Sequence, residues 1–190
     1  MNIKIEKTSN SDFKEIYDLI KESFSSAEHS DGNESELVKD LKDSSSFIPE
    51  LSLIAKDENK IVGYILFTKA KVKDEDVLVL APLAVLPKYQ NKKIGSALIN
   101  KGHEIAKSLG YNYSFVLGSE YYYPKFSYIP ASKYNINLPK GFIDINFMVS
   151  KLNPLANKIS GDLIYPKEFN ISKSLFIFVY YLYLQGISIN

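Results

Sequence analysis

The sequence contains no cysteine and only two histidines, His29 and His103. Without cysteine the chain has no disulfide, no thiolate metal ligand and no cysteine nucleophile. Metal sites usually combine several imidazole or thiolate ligands at a recognisable spacing, and two isolated histidines do not provide such a set. A Ser-His-Asp triad would also need one of them. His103 falls inside a predicted helix with no motif around it, so we predict a packed or surface residue, and no metal site.

The chain also lacks an excess of charge of either sign, because 23 lysines and arginines nearly cancel 22 aspartates and glutamates. Nucleic-acid-binding proteins usually carry a clustered basic excess, so we predict no nucleic-acid partner. Residues 1–6 alternate polar and apolar side chains and lack the apolar core of a signal peptide. The C-terminal apolar run, 175–184, is shorter than the roughly 20 residues that a membrane span needs. We therefore predict a cytoplasmic protein without a membrane span.

What the sequence does contain is the pattern of a globular α/β domain. Its 190 residues are 45% hydrophobic and 24% charged, which suits one well-buried domain. Apolar runs predict strands at 2–7, 51–55, 61–70, 77–81 and 114–117. Apolar residues at helical spacing predict helices at 13–24, around 37–41, and from 94 to a stop at Gly110. The last helix is predicted to pack on the sheet through one stripe, formed by Ile94, Ala97, Leu98, Ile105 and Leu109. This order of elements predicts a mixed sheet with helices on its faces.

One segment of this pattern is suited to phosphate. The buried strand 77–81 continues through an apolar stretch into the loop 88–93, and a helix follows directly. The free N–H groups and the dipole at a helix start attract phosphate. Gly95 leaves room for close approach, Ser96 offers a hydroxyl, and three lysines surround the loop. The alternative is a helix that simply begins there, with its lysines in solvent.

Two motifs in this region resemble the GNAT superfamily of N-acetyltransferases. The run APLAVLPKYQNKKIGSALI, 81–99, is similar to the acyl-CoA-binding segment of that family. The family pattern has Gln or Arg, then Gly three residues later, then Gly or Ala two residues after that. In this chain the three positions are Gln90, Lys93 and Gly95. The run VLGSEYYYPKFSY, 116–128, resembles the family's next strand and the aromatic element after it. The nearest likeness is to a bacterial subgroup of predicted acetyltransferases. On this basis we predict an acyltransferase domain over 1–170 and an apolar, aromatic extension over 171–190.

The resemblance implies a mixed, mostly antiparallel central sheet flanked by helices, with a V-shaped splay between two parallel strands. Backbone groups of Leu83 and Val85 would bind the pantetheine arm of acetyl-CoA as an added strand does. Gln90 would begin a pyrophosphate cradle made of the amides of residues 91–96. The implied cofactor-binding set is Leu83, Ala84, Val85, Gln90, Asn91, Lys92, Lys93, Ile94, Gly95, Ser96, Tyr122, Tyr123 and Phe126.

The resemblance also implies roles in acetyl transfer to an amine. The reaction needs a neutral amine, a stabilised oxyanion and a proton for the departing thiolate. Tyr123 is the implied acid, with Tyr122 as the second choice, and the backbone N–H of Val85 is the implied oxyanion donor. Without the resemblance, the residues themselves would favour aromatic packing as the role of the tyrosines 121–123. The general base is open, and the candidates by position are Glu34, Asp76 and Glu120.

The chain departs from the family pattern at the loop and at the aromatic element. Lys93 stands where the family prefers glycine, and Asn91 stands where glycine is frequent. If these positions need positive φ, each Cβ costs on the order of 1 kcal/mol. Ser127 and Tyr128 replace the usual glycine and phenylalanine of the aromatic element.

The predicted function is acetyl transfer from acetyl-CoA to a primary amine of a small molecule or protein. The main alternative is an acyl-CoA sensor without turnover, and a third is an interaction protein that uses its aromatic C-terminal half. The apolar run 175–184 has three possible roles. We favour packing on its own domain, then a contact in a homodimer, and last attachment to a membrane surface.

Overall fold

The computed structural model describes residues 1–25 and 34–169. Its strands are β1 Ile3–Lys7, β2 Phe47–Asp57, β3 Lys60–Val72, β4 Glu75–Val85, β5 Tyr113–Leu117, β6 Tyr128–Pro130, β7 Phe147–Lys151 and β8 Leu163–Ile164. Its α-helices are α1 Phe13–Phe24, α2 Glu34–Lys42 and α3 Ile94–Ser108. Turns of 3-10 helix lie at Asn10–Asp12, Pro87–Tyr89, Tyr123–Phe126, Ala131–Tyr134, Asp144–Asn146 and Lys167–Phe169.

The described strands form one sheet in the order β1-β2-β3-β4-β5-β7-β6, with β8 paired to the far part of β3. Every pairing of these strands is antiparallel except that of β4 with β5. Gly63 of β3 faces α3, whereas its neighbour Tyr64 faces Tyr17 of α1. Because successive strand residues point to opposite faces, the two helices cover opposite sides of the sheet. This confirms the predicted fold class.

The parallel strands β4 and β5 pair over a short distance and then separate. Leu78–Leu80 pairs with Ser114–Val116, while β4 continues to Val85 along β3 alone. Where β3 passes Leu66, β4 passes both Ala81 and Pro82, so β4 carries a one-residue bulge. A bulge bends its strand, and proline, which has no N–H to donate, is tolerated there. The bend lies where β4 leaves β5, and the V-shaped splay opens beyond it.

Helix α3 packs on the sheet through a different stripe from the predicted one. The sequence pattern placed Ala97 and Leu109 on the buried face with Ile94 and Leu98, but Ala97 is exposed and Leu109 is 44% exposed. The buried stripe instead contains Ile94, Leu98, Ile99, Gly102, His103 and Ala106. A Cβ on Gly102 would come within 2.3 Å of the Phe67 ring. The missing side chain therefore lets the helix approach the sheet and bury His103.

Other predictions of element bounds were short or incomplete. Helix α2 begins at Glu34, before the predicted start near residue 37, and β4 runs through Pro82 instead of ending before it. Strands β6, β7 and β8 were not predicted, because the sequence after Gly118 has little periodicity. The extension 171–190 lies outside the described residues, so its packing and a homodimer contact stay predictions. None of the helices in the described part of the chain has the length and apolarity that crossing a membrane requires.

Candidate functional site

The backbone of β4 presents unpaired groups to the open side of the splay. Leu86 donates its N–H to the carbonyl of Val62 in β3, at 3.0 Å. Backbone groups of successive residues in an antiparallel strand point alternately toward and away from the partner strand. Since Leu86 points toward β3, Val85 and Leu83 point away from it, toward β5. Beyond the last paired residue of β5, these groups face the splay.

Gln90 joins the loop after β4 to the strand itself. Its side-chain amide Nε2 donates to the carbonyl oxygen of Val85, at 3.2 Å. The side chain of Gln90 is thus directed back at the strand, and it fixes the point at which the loop leaves the sheet. The N–H of Val85 is not used by this bond and still faces the splay. The carbonyl oxygen of Val85 has a second lone pair, so both polar backbone groups of Val85 can still bind a ligand.

The loop 91–93 turns through two left-handed residues. Asn91 has φ 59° and Lys93 has φ 63°, so both positions where the family favours glycine do adopt the conformation that favours it. Lys93 is also the N-cap of α3, and its carbonyl accepts the first intrahelical bond, from the N–H of Ala97 at 3.0 Å. The amides of 94–96 precede that bond and have no partner within the helix. They belong to the amides of residues 91–96, which the resemblance predicts to form a pyrophosphate cradle.

Gly95 lies against the hydroxyl of Tyr122. A Cβ at this position would lie 2.7 Å from Tyr122 Oη and 3.5 Å from Leu83 Cδ2. Real Cβ atoms do not approach other heavy atoms within 3 Å without displacement, so any larger residue must move the tyrosine. The glycine therefore lets Tyr122 approach the first turn of α3, between β4 and the turn after β5. It also places no side chain of its own beside the free amides at the helix start, where phosphate can bind.

The lysines of the loop are exposed and differ in their contacts. Lys92 Nζ donates to the carbonyl of Lys88, at 2.8 Å, and lies 5.0 Å from the centre of the Tyr89 ring. These contacts hold one ammonium group beside the loop. Lys93 is exposed at the N-cap itself. The electrostatic potential at the start of α3 is thus raised by side chains as well as by the helix dipole.

Tyr122 lines the cradle. Its side chain is 6% exposed, its hydroxyl lies against Gly95 and beside Ser96, and its ring lies edge-on to Phe126 with centroids 5.3 Å apart. Burial raises the pKa of the Tyr122 hydroxyl, and the hydrogen bond from Ser96 opposes part of that increase. Tyr122 therefore joins the turn after β5 to the first turn of α3.

Tyr123 is buried to the same extent as Tyr122, at 6% exposed. Its ring packs on Gly118, where a Cβ would come within 2.2 Å of it. The ring is edge-on to Tyr122 and to Tyr128, with centroid distances of 5.3 and 5.6 Å. Burial strongly raises the pKa of the Tyr123 hydroxyl, and the neighbouring tyrosines add to the increase. The hydroxyl thus stays protonated at neutral pH, as a proton donor must be.

The sequence of this chain matches a family model and known proteins. The acetyltransferase (GNAT) family model matches residues 13–124. The chain belongs to the GNAT family. It is 43% identical over 103 residues to the uncharacterised N-acetyltransferase YjhQ of Escherichia coli strain K12, a match that covers 52% of this chain and 57% of YjhQ. It is 29% identical over 141 residues to the uncharacterised N-acetyltransferase YhbS of the same strain, covering 72% of this chain and 83% of YhbS.

Solved structures of GNAT proteins have the same fold. The crystal structure of Escherichia coli YhbS in complex with CoA superposes with a TM-score of 0.80 at 27% identity, over 90% of this chain and 93% of that one. A GNAT family acetyltransferase from Brucella melitensis, in complex with acetyl-CoA, gives a TM-score of 0.74 at 24% identity, over 88% of this chain and 98% of that one. The second likeness shows the fold alone.

The structure separates the three base candidates of this GNAT chain. Asp76 forms an ion pair with Lys71, at 2.8 Å, near the start of β4. That position lies before the paired segment, whereas the splay opens after it. Glu34 is buried in the first turn of α2. Glu120 follows β5, on the turn that carries both tyrosines. By position, Glu120 is the candidate that shares an element with other residues of the site. Residues 1–25 and 34–169 contain no cluster of histidine and carboxylate side chains that could hold a metal ion.

The sequence did not predict a buried polar network on α3. His103 Nε2 lies 3.0 Å from Tyr128 Oη, which lies 2.7 Å from Ser114 Oγ. Ser114 and Tyr128 both pair with Ser150 of β7, so the small Ser150 between them leaves room for the tyrosine ring. The tyrosine at the usual phenylalanine position was the available signal, because its hydroxyl needs a buried partner. The network supports Tyr128, against which Tyr123 packs.

Acidification should destabilise this GNAT domain through His103. Burial, with a smaller contribution from the charge of Lys107, lowers the pKa of His103 from its ordinary 6.5 to about 4. As the pH falls, His103 is protonated in the unfolded state before it is protonated in the folded state. Its contribution to the free energy of unfolding is therefore fully present above pH 6.5 and is lost as the pH drops toward 4. The loss of unfolding free energy from this group approaches about 3 kcal/mol.

Urea unfolding at several pH values tests this expectation. His103→Gln keeps a hydrogen-bonding side chain but cannot titrate, so its stability should fall less between pH 7 and pH 4.5. Lys107→Gln is the control for the smaller electrostatic contribution. Equal losses in wild type and His103→Gln would show that other groups cause the acid sensitivity.

Proposed function

We propose that this GNAT protein transfers an acetyl group from acetyl-CoA to a primary amine of a small molecule or a protein. The observation that carries the proposal is the continuous line of free backbone groups along the splay into the start of α3. It runs from Leu83 and Val85 to the amides beside Gly95. YhbS, which was crystallised with CoA, shares the fold over most of both chains. We place the reaction in the cytoplasm, where acetyl-CoA is available.

The proposed binding of acetyl-CoA uses these free groups in order. The pantetheine amides pair with Leu83 and Val85, because an extended chain can add to an exposed strand. The pyrophosphate takes the amide donors at the start of α3, with the helix dipole and the exposed lysines supplying positive potential. Gly95 fits this assignment, since it places no side chain beside these amides, whereas a Cβ would displace the Tyr122 hydroxyl.

The chemistry follows from what lies at the splay. The backbone N–H of Val85 is positioned to donate to the oxyanion that forms at the acetyl carbonyl. Tyr123 is the proposed acid, because it stands on the turn after β5 where the resemblance puts the proton donor, and its hydroxyl is protonated at neutral pH. Tyr122 is assigned to the cofactor cradle because its hydroxyl lies beside Gly95 and Ser96 at the helix start. In each step the protein supplies a donor fixed by the fold.

Calorimetry with acetyl-CoA, followed by an assay of CoA release with a panel of primary amines, tests the proposal. Binding together with amine-dependent release supports an acetyltransferase. Binding without release from any amine would favour the acyl-CoA sensor. If acetyl-CoA does not bind, the proposal is wrong, and the aromatic surface of the C-terminal half becomes the place to search for a partner.

Replacing Lys93 with glycine should leave the affinity for acetyl-CoA within a few-fold of wild type. The change removes a positive charge near the pyrophosphate, which weakens binding. It also relieves the left-handed backbone at φ 63°, which costs a lysine on the order of 1 kcal/mol. Calorimetric Kd values and urea unfolding measure the two effects separately.

Lys93→Ala is the matched control, because it removes the charge and keeps a Cβ at the left-handed position. Its stability should therefore be no higher than that of wild type. Complete loss of binding in Lys93→Gly would show that the lysine charge is essential, and would contradict the expectation.

A further inference from the structure

The turn after β5 sets the direction in which Tyr123 points. The strand ends at Leu117, and the proposed acid follows shortly after it. Within the turn, the backbone N–H groups of Tyr122 and Tyr123 both donate to the carbonyl of Ser119, each at 3.1 Å. The position of Tyr123 therefore depends on how the turn leaves the strand, at Gly118.

Gly118 and the ring of Tyr123 are in direct contact. A Cβ on Gly118 would overlap the ring, so the glycine lets the tyrosine lie directly against the backbone. The ring also packs edge-on against Tyr122 and Tyr128, at centroid distances of 5.3 and 5.6 Å. Because closely packed groups transmit small shifts to one another, a displacement of Gly118 would move the ring of Tyr123 and with it the hydroxyl.

Asn146 holds this glycine from the start of β7. The pairing of β5 with β7 ends at Leu117 and Phe147. Just beyond it, the N–H of Gly118 donates to the carbonyl of Asn146, at 2.9 Å. In return, Asn146 Nδ2 donates to the carbonyl of Gly118, at 3.0 Å. Both polar backbone groups of Gly118 are thus bonded to one residue.

The same side-chain amide also holds Glu120. Asn146 Nδ2 donates to Glu120 Oε2, at 2.7 Å, and Asn146 is only 2% exposed. A hydrogen bond to a carboxylate is stronger than one between two neutral groups. The amide cannot rotate without losing both of its bonds, so Asn146 fixes the turn at two points, Gly118 and Glu120.

The oxygen of this amide makes asparagine a costly residue at position 146. Asn146 Oδ1 is buried and has no hydrogen-bond partner among the residues that the structure describes. Such an acceptor has lost its bonds to water without gaining others, and groups of this kind are rare in native proteins. Departures from this rule are expected at functional sites. We attribute the asparagine to its two N–H groups, which no apolar residue of similar size could supply.

We propose that Asn146 is a positioning residue for acetyl transfer, which fixes the hydroxyl of Tyr123 by holding Gly118 and Glu120. This inference rests on the proposed function, in which Tyr123 protonates the departing thiolate. Asn146 acts through the turn and does not itself contact the reacting atoms. Proton transfer requires the donor to lie within hydrogen-bond reach, and a displacement of about 1 Å already slows a reaction of this kind. The carboxylate of Glu120 serves as the second point of attachment.

A double-mutant cycle with Tyr123→Phe tests the inference. Asn146→Leu has a similar size and removes both N–H groups together with the unpartnered oxygen. It should lower kcat with the best amine of the panel by about 10-fold and change the Kd of acetyl-CoA by less than about 3-fold. In the Tyr123→Phe background it should lower kcat by less than about 2-fold, because the hydroxyl that Asn146 positions is already absent.

Asp144→Asn is the matched control, because Asp144 is an exposed residue on the same 3-10 turn whose carboxylate bonds Ser132. It should keep the kcat of its parent in both backgrounds. If Asn146→Leu does not fold, Glu120→Ala takes its place in the cycle, since Glu120 is only partly buried and its removal deletes one of the two amide bonds. Its smaller loss of kcat should also disappear in the Tyr123→Phe background.

The outcomes separate this inference from the proposed function. Equal losses of kcat in the two backgrounds, with acetyl-CoA binding intact, would show that Asn146 does not act through Tyr123. That result would overturn the inference and leave the acetyltransferase assignment standing. A wild-type kcat in Tyr123→Phe would overturn the inference together with the proposed acid, and absence of turnover by wild type with every amine would overturn the proposed function as well.

Discussion

Replacing Gly95 with valine is expected to weaken acetyl-CoA binding by about 100-fold or more. The new Cβ would stand 2.7 Å from Tyr122 Oη, so the valine must displace the tyrosine, and its side chain would stand beside the amides proposed to bind the pyrophosphate. Displacing the pyrophosphate loses several hydrogen bonds to a charged group, and each is worth roughly 1.5–3 kcal/mol. Loss of two such bonds already accounts for the expected change. Calorimetric titration with acetyl-CoA measures it.

Two further variants separate the loss of the cradle from simple misfolding. Ala97→Val adds a β-branched side chain to the same turn of α3 at an exposed position, so it should bind acetyl-CoA as wild type does. Adding Tyr122→Phe to Gly95→Val removes the hydroxyl that the valine would meet. If this double variant regains wild-type affinity, the valine acts only by displacing Tyr122, and the cradle is not where the pyrophosphate binds.

Removing the Tyr123 hydroxyl should lower kcat by about 100-fold, which is the lower range for loss of a general acid. The ring packs on Gly118 and lies between Tyr122 and Tyr128, so phenylalanine preserves the packing. The Kd of acetyl-CoA should therefore change little. Steady-state kinetics with the best amine of the panel, together with calorimetry, measure the two quantities.

Tyr122→Phe is the matched control, since it removes the same atom from the adjacent residue. Its hydroxyl lies beside Gly95 and Ser96 at the proposed cradle, so this variant should mainly raise KM for acetyl-CoA. If Tyr122→Phe instead loses kcat while Tyr123→Phe keeps it, the two tyrosines exchange their proposed roles. If neither variant loses kcat, the thiolate receives its proton from water, and the proposed acid is wrong.

The sequence predicted the part of the site that depends on neighbouring residues. Gln90, Lys93 and Gly95 are close along the chain, and their spacing around a helix start indicated a phosphate cradle. The family pattern raised the question whether Asn91 and Lys93 adopt the positive φ that favours glycine, and both residues have positive φ in the structure. Local sequence carries this information because turn conformation and helix capping depend on a few consecutive residues.

The same reasoning failed where the packing partner decides the outcome. The helical spacing of α3 allowed more than one apolar stripe, and the pattern placed Ala97 on the buried side. The sheet selected the stripe with Gly102 and His103, because the Phe67 ring needs the space beside the glycine. Helical periodicity fixes the spacing of a buried face, but contact with another element decides which of several similar faces is buried.

The sequence by itself determined the family, the mixed sheet and the loop that begins α3, because repeating patterns and short motifs encode them. Only the tertiary structure decided that Glu120 is held by Asn146 and that Tyr128 is bonded to His103. It also directed the free backbone groups of Leu83 and Val85 into the splay. The physical reason is that hydrogen bonds between distant residues depend on strand register and on the β4 bulge, which arise only when the whole sheet assembles.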